Sequence, residues 1–401
     1  MTGNRSRSIR GTVHWDGWRA VLSGPAGGAG GTFMLLVAIT VFQAENVGKG
    51  MLAAGGSVGF LLTPVVVRVV AGRALPPAQV AAWLVSGSGL GLLLAGLATT
   101  YSWFLVSALG GMGLAAAAVP LITGYWQANV PAVRRGHWYA GVARTEALGG
   151  AVCGLLVAGW MHLHPDGWRP VMIVAGLGLI LAGVCVARIP RPGPLLGALG
   201  RNPFAALAWL WRDRRFGWIN LSWTLMGMAN LATVPLRADW LSQPAYGIQM
   251  EPARILLLLV ALPTAVRLLL LPHWGRWFDR LDFVRVRMLI NGCFAAAMAL
   301  MFTPYLVTQV LGAIAFGAAA AGADLAWNLW VTKIAPPDRT ADYMGVHVFL
   351  SGLRGLSAPM LGFALVGGLG PPVIAWGGVA LVVLATVMLV PEMKGTKQDD
   401  G

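Results

Sequence analysis

The sequence predicts an all-α polytopic membrane protein with twelve transmembrane helices in two pseudo-symmetric six-helix halves. Three observations carry that prediction. Of 401 residues, 57% are hydrophobic and only 11% charged, against roughly a quarter charged in soluble proteins; the mean hydropathy is +0.69. Apolar runs of about 20 residues, the length that crosses a bilayer as a helix, recur along the whole chain. The chain also echoes itself. Sliding 317–346 back by 204 positions lays it over 113–142, and ten of thirty residues coincide, among them Trp126/Trp330, Arg135/Arg339, Tyr139/Tyr343, Gly141/Gly345 and Val142/Val346. A period near half the length marks a duplicated architecture.

In order, the N-terminal arm is basic and has no apolar core ending in a cleavage site, so it reads as a retained cytoplasmic arm and not a signal peptide. Trp15 and Trp18 beside Arg19 suit an interfacial anchor. Apolar runs place spans near 28–47, 51–70, 78–99, 103–126, 138–161, 170–188, 217–236, 252–271, 287–303, 305–330, 341–366 and 371–390. The segment after the sixth span opens with Pro and Gly, which stop a helix. From Phe204 to Trp211, closed by Arg212, Arg214 and Arg215, it reads as an amphipathic helix on the inner membrane surface. The organisation is therefore residues 1–195 as an N-terminal six-helix half with its basic arm, 196–216 as a cytoplasmic amphipathic linker, and 217–401 as the C-terminal six-helix half.

The net charge of +14 is explained by topology and not by nucleic acid. Lys and Arg gather in cytoplasmic loops. With both termini inside, 23 of the 29 basic residues, Arg19 and Arg287 included, fall on the cytoplasmic side. Four (Lys49, Arg169, Arg237 and Arg254) fall outside, and Arg267 and Arg354 are left within the membrane. The multi-pass chain is thus expected in the cytoplasmic (inner) membrane. Cys153, Cys185 and Cys293 have neither disulfide-framework nor metal spacing. The chain contains no HExxH or GxxxxGK[ST] motif, so neither a metalloprotease of that class nor an ATP-driven pump is indicated. No cofactor is expected.

After the eighth span comes Pro272-His-Trp-Gly275-Arg-Trp-Phe-Asp279-Arg280-Leu-Asp-Phe-Val-Arg285. It resembles the inter-helix loop signature Gly-x-x-x-Asp-Arg-x-Gly-Arg-Arg of the major facilitator superfamily, and with the twelve-span architecture the chain is identified as a member. Asp282 stands where the family has Gly, Phe283 and Val284 replace basic residues, and the equivalent first-half loop, Thr63 to Arg68, has lost both Gly and Asp. The resemblance implies a conformational latch at Gly275, Asp279, Arg280 and Arg285, in which the carboxylate caps a helix N-terminus and bridges to Arg. It also implies a central site lined by helices of both halves. The fifth span carries Gly149, Gly150 and Gly154 but no Pro. It therefore lacks the Gly-Pro motif that proton-driven drug antiporters of the family carry there.

Charges inside apolar spans are costly and mark functional sites by default. Arg354, Asp324 and Arg267 are candidate substrate-binding residues, with Arg354–Asp324 and Arg267–Asp324 as alternative pairings; Asn328, Trp327 and Tyr125 add hydrogen bonding or stacking. Glu45, Glu146 and His347 are candidates for coupling or proton relay. The repeated Arg135/Tyr139 and Arg339/Tyr343 turns read as structural braces. The expected function is secondary transport of a small organic solute, anionic or zwitterionic, by alternating access. The partners are the solute, the lipid bilayer and a coupling proton or sodium ion; no nucleic acid is expected, and a monomer is. The rival reading is a non-transporting membrane assembly factor or sensor on the same fold.

Overall fold

The computed structural model describes residues 2–28, 30–130, 132–190, 205–335 and 340–392, without the side chains of 2–8, 28, 64, 67–68, 71, 127–128, 132–137, 139–140, 143, 205–206, 279, 328–329, 332–333 and 340–342. All regular structure among these residues is helical. Eight helices are long and apolar enough to cross a bilayer, and Gly31–Thr40 and Pro371–Val387 are shorter apolar ones. Asn46–Gly72 and Arg214–Ser242 complete twelve segments in the order the sequence predicts. A helix satisfies every backbone polar group internally, which is the condition for crossing hydrocarbon.

The chain divides into two units. The first comprises residues 1–44, 51–201 and 251–256, and the second 45–50, 202–250 and 257–401. The first unit holds α1 (Thr2–Leu22), α2 (Gly24–Gly28), α3 (Gly31–Thr40), most of α4 (Asn46–Gly72), α5 (Pro77–Gly96), α6 (Tyr101–Asn129), α7 (Ala132–Leu163) and α8 (Trp168–Ala187). The second holds the first turn of α4, then α9 (Trp209–Arg212) and α10 (Arg214–Ser242). After α11 (Pro252–Leu256), which belongs to the first unit, it continues with α12 (Leu262–Arg280), α13 (Phe283–Met301), α14 (Leu306–Ile334), α15 (Thr340–Leu369) and α16 (Pro371–Val387).

Boundaries follow local chemistry. Pro77 opens α5, where a missing N–H is harmless. Thr100 caps α6 by accepting from Trp103 N, and Asp213 caps α10 by accepting from Phe216 N at 3.0 Å. Gly370, at φ 72°, ends α15 in a conformation that L side chains rarely adopt, and Pro371 starts α16. Between α11 and α12 the helix loosens into a π turn, Leu257–Ala261. It leads directly to Pro263, which has no N–H to give the preceding turn.

In the first unit α5 packs between α6 and α8. Gly24 of α2 and Gly149 of α7 meet so closely that a Cβ on Gly24 would lie 3.1 Å from Gly149 backbone. Small residues allow this approach where no hydrophobic effect drives helices together. The second unit has an aromatic core of Phe216, Trp223, Phe283, Trp330 and Tyr343; Phe216 and Phe283 stack with Trp330 at 5.7 and 5.8 Å.

Four expectations need correction. The first span is not one helix over 28–47: α3 stops at Thr40, and Glu45 is an exposed residue before α4. The eighth span does not stop at 271, since α12 runs on to Arg280, so most of the loop signature is helical. The ninth helix starts at Phe283, not 287, because Asp282 caps it by accepting from Val284 N at 2.9 Å. The linker is not one amphipathic helix: Ala205–Ala208 is a 3-10 turn and α9 a single turn, with Trp211 78% exposed. Phe204 lies outside the described residues.

Candidate functional site

Among the described residues, three clusters of charged groups interrupt the apolar packing. The first lies in unit one. Asp16 and Arg19 are three residues apart on α1, hence on one helix face, and both are buried. Arg19 Nε donates to Asp16 Oδ1 at 2.5 Å and its Nη1 to Glu146 Oε1 at 2.6 Å. From α6, the Tyr125 hydroxyl donates to Asp16 Oδ1 at 2.7 Å and Trp126 Nε1 to Oδ2 at 2.6 Å. Two carboxylates thus surround one guanidinium, and the cluster is net negative. Glu146 is its open end, with 40% of its side chain exposed.

The second cluster lies in unit two. Arg354, 6% exposed, donates to Trp223 O at 3.2 Å and to Ser351 Oγ at 2.7 Å. Arg287, fully buried, lies face-on to Trp223 with Cζ 3.4 Å from the ring centroid. Such a contact is worth about 2 kcal/mol or more when desolvated. Trp223, Trp327 and Trp330 ring the imidazole of His347 at 5.1–5.5 Å. Beside these, Arg267 of α12 pairs with Asp324 of α14 at 2.5 Å, their side chains 39% and 42% exposed. Arg267 is 13 residues from the end of α12, about 20 Å along the axis. An ion pair at that depth, open on one side, is placed to face protein or water and not lipid.

The third cluster, also in unit two, joins buried Asp239 to Lys49 Nζ at 2.6 Å and to the Tyr246 hydroxyl at 3.3 Å. Burial, with the neighbouring Asp239 carboxylate, pushes the Tyr246 phenol up to about 12.

Among the candidates from sequence, the structure brings together Arg267 with Asp324, and Arg354 with Trp327 and His347 through Ser351, which also accepts from Trp327 Nε1 at 3.3 Å. The alternative Arg354–Asp324 pairing is not the one formed. Tyr125 is committed to Asp16 and Glu146 to Arg19. Gly275 has open space where a Cβ would stand, and Arg280 and Arg285 are exposed. The side chains of Asp279, Asn328, Arg135 and Tyr139, and Arg339 altogether, lie outside the described residues. Tyr343 braces the second unit as expected of that turn, donating to Asp213 Oδ2 at 2.8 Å. Four charges escaped sequence reasoning. Asp16 and Arg19 lie outside the span assigned there, Arg287 reads as a loop-flanking cation, and Asp239 lies beyond the expected end of span seven. One signal was available for Asp16: the 204-residue offset carries it onto Asn220, another polar residue in an apolar helix. Among the described residues no group of His, Cys, Asp and Glu could hold a metal ion.

The family model of the Major Facilitator Superfamily matches residues 23–359. No curated protein sequence matches. Among solved structures, the nucleoside transporter NupG aligns with a TM-score of 0.73 at 14% identity, covering 96% of this chain and 99% of that one. The D-xylose–proton symporter aligns with 0.69 at 16%, covering 95% and 97%. The human organic anion transporter MFSD10 aligns with 0.64 at 15%, covering 95% and 99%. At such identities the likeness is one of fold.

Proposed function

The chain belongs to the major facilitator superfamily, and from that premise we propose that it moves a small anionic or zwitterionic organic solute across the cytoplasmic membrane by alternating access, with both termini inside. The structural neighbours are transporters of nucleosides, xylose and organic anions, so the fold by itself does not choose a solute. The charge pattern is what supports a charged one. The observation that carries the reading is the half-exposed Arg267–Asp324 pair, set 13 residues from the end of α12 and 10 from the end of α14. It offers a solute one cation and one anion at a depth where an idle pair would be expensive. Trp327, three residues on from Asp324 in α14, donates to Ser351, which also accepts from Arg354; these are the further polar and aromatic groups of the reading. The Asp16–Arg19–Glu146 cluster is the proposed coupling element: its second carboxylate is half open and can take a proton while Arg19 stays paired. Asp279, Arg280 and Arg285 at the α12–α13 junction keep the role of latch.

The test is uptake into proteoliposomes of labelled anionic, zwitterionic and neutral solutes, with and without an imposed pH gradient, for the wild type, Arg267→Ala and Asp324→Asn. Saturable uptake of a charged solute, reduced in both variants, is expected. Uptake of neutral solutes only, indifferent to both substitutions, would overturn the charge reading. No uptake of any class, with a partner protein co-purifying, would favour the membrane assembly factor.

A further inference from the structure

We infer that the second unit holds a compact anion between Arg287 and Arg354, beside the indole N–H groups of Trp223 and Trp330. This goes beyond the transport reading and does not depend on it. Two guanidinium groups on different helices, α13 and α15, flank one indole: Arg287 Cζ is 3.4 Å and Arg354 Cζ 5.8 Å from the Trp223 ring. Arg287 is fully buried, and none of its three guanidinium nitrogens has a hydrogen-bond acceptor among the described residues. The same is true of Trp223 Nε1, Trp330 Nε1 and both ring nitrogens of His347. The cluster is therefore rich in donors and doubly cationic. The other described carboxylates of the unit are engaged elsewhere or exposed: Asp213 with Tyr343, Asp239 with Lys49, Asp282 at the α13 cap, Asp324 with Arg267, Glu392 with Arg215, and Glu45 exposed.

The bland alternative is that the aromatic faces and two amides suffice. Asn220 and Asn291 are buried close by in sequence, each with an amide oxygen lacking a donor. An amide oxygen accepts a hydrogen bond but cannot neutralise charge. Two desolvated cations repel one another strongly in a low-dielectric interior, so buried charges of one sign call for a counter-charge. Arginine's planar fork suits a carboxylate, phosphate or smaller inorganic anion. The anion has two sources, a free inorganic ion or the acidic group of a solute, and the chemistry is the same for both.

The experiment is thermal unfolding of the purified full chain in a buffer whose anion is bulky 2-morpholinoethanesulfonate, titrated at constant ionic strength with chloride, phosphate or acetate. A ligand of the native state raises the midpoint by mass action. The expected result is a saturable rise with at least one anion in the wild type and in Arg254→Gln, an exposed arginine outside both sites, and its loss in Arg287→Gln. Where Arg287→Gln does not fold, Trp330→Phe keeps the aromatic core and removes one donor, and should weaken the apparent affinity about five-fold, as for one hydrogen bond. Response to chloride or phosphate identifies a free ion. Response to acetate alone identifies a carboxylate carried by a solute. No response to any anion, or the same response in wild type, Arg287→Gln and Trp330→Phe, overturns the proposal.

Discussion

The two units place opposite electrostatics on corresponding positions of a duplicated plan. The 204-residue offset carries Asp16 onto Asn220, Arg19 onto Trp223 and Trp126 onto Trp330. In the first unit the indole N–H of Trp126 meets a carboxylate, and that carboxylate meets a guanidinium one helical turn away. In the second, the acid has become an amide and the arginine an aromatic ring, while cations enter from α13 and α15. The first cluster closes its charges internally, with both carboxylates bonded to one guanidinium. The second is left with positive charge, suited to an anion. The repeated positions thus carry residues of different charge.

The sharpest way to break this comparison is Asp16→Ala. It removes the shared acceptor of Arg19, Tyr125 and Trp126 and should cost about 3–5 kcal/mol, the penalty for stranding a buried ionic partner. Asn220→Ala at the corresponding position should cost about 1 kcal/mol, both read from thermal unfolding. Equal losses would mean that the two clusters are energetically alike.

Arg267→Ala and Asp324→Asn probe function more than stability. The pair is about 40% exposed, so either change should move stability by about 1 kcal/mol or less. Solute uptake should fall by about ten-fold or more, the loss of one charge-assisted hydrogen bond. A large drop in stability with unchanged uptake would make the pair a brace.

Gly227→Ala isolates Arg354. A Cβ at Gly227 would lie 2.5 Å from Arg354 Cδ, so the guanidinium must shift, at about 1–3 kcal/mol of strain. Gly56→Ala meets open space and should be neutral or slightly stabilising.

The smallest effect concerns Tyr246. Its phenol titrates near 12 in the folded chain against about 10 unfolded. A neutral acid whose pKa is raised contributes stability that is full below the unfolded value and lost as pH rises through the folded one. Unfolding followed between pH 10 and about 12 should therefore show a shallower decline in Tyr246→Phe than in the wild type.

Much of the fold was legible because hydropathy and helix-stopping residues are local. Twelve segments, the Gly370–Pro371 break and the duplicated plan all follow from composition and spacing. Boundaries failed where a longer-range cause acted. Apolar content drops after Leu271, yet α12 continues to Arg280, because polar residues tolerate helix as well as loop. Span one ends early, since α3 stops at Thr40 and the helix resumes only at Asn46, although the intervening residues include Val41 and Phe42. Arg267, Asp324 and Arg354 were legible as site candidates, since a charge within an apolar run is visible without any structure. Arg287 was not, because four residues into a helix an arginine looks like any loop-flanking cation. Only the rotation of α13 turns it inward.

From the sequence alone come the solvent, the number of crossings, the internal repeat and the family, because each is written in residue type and period. Tertiary structure alone decided which charge meets which. Arg19 reaches Glu146 across 127 residues, Arg354 reaches Trp223 across 131 and Lys49 reaches Asp239 across 190. Such partners are chosen by helix rotation and close packing, and a one-dimensional pattern carries neither.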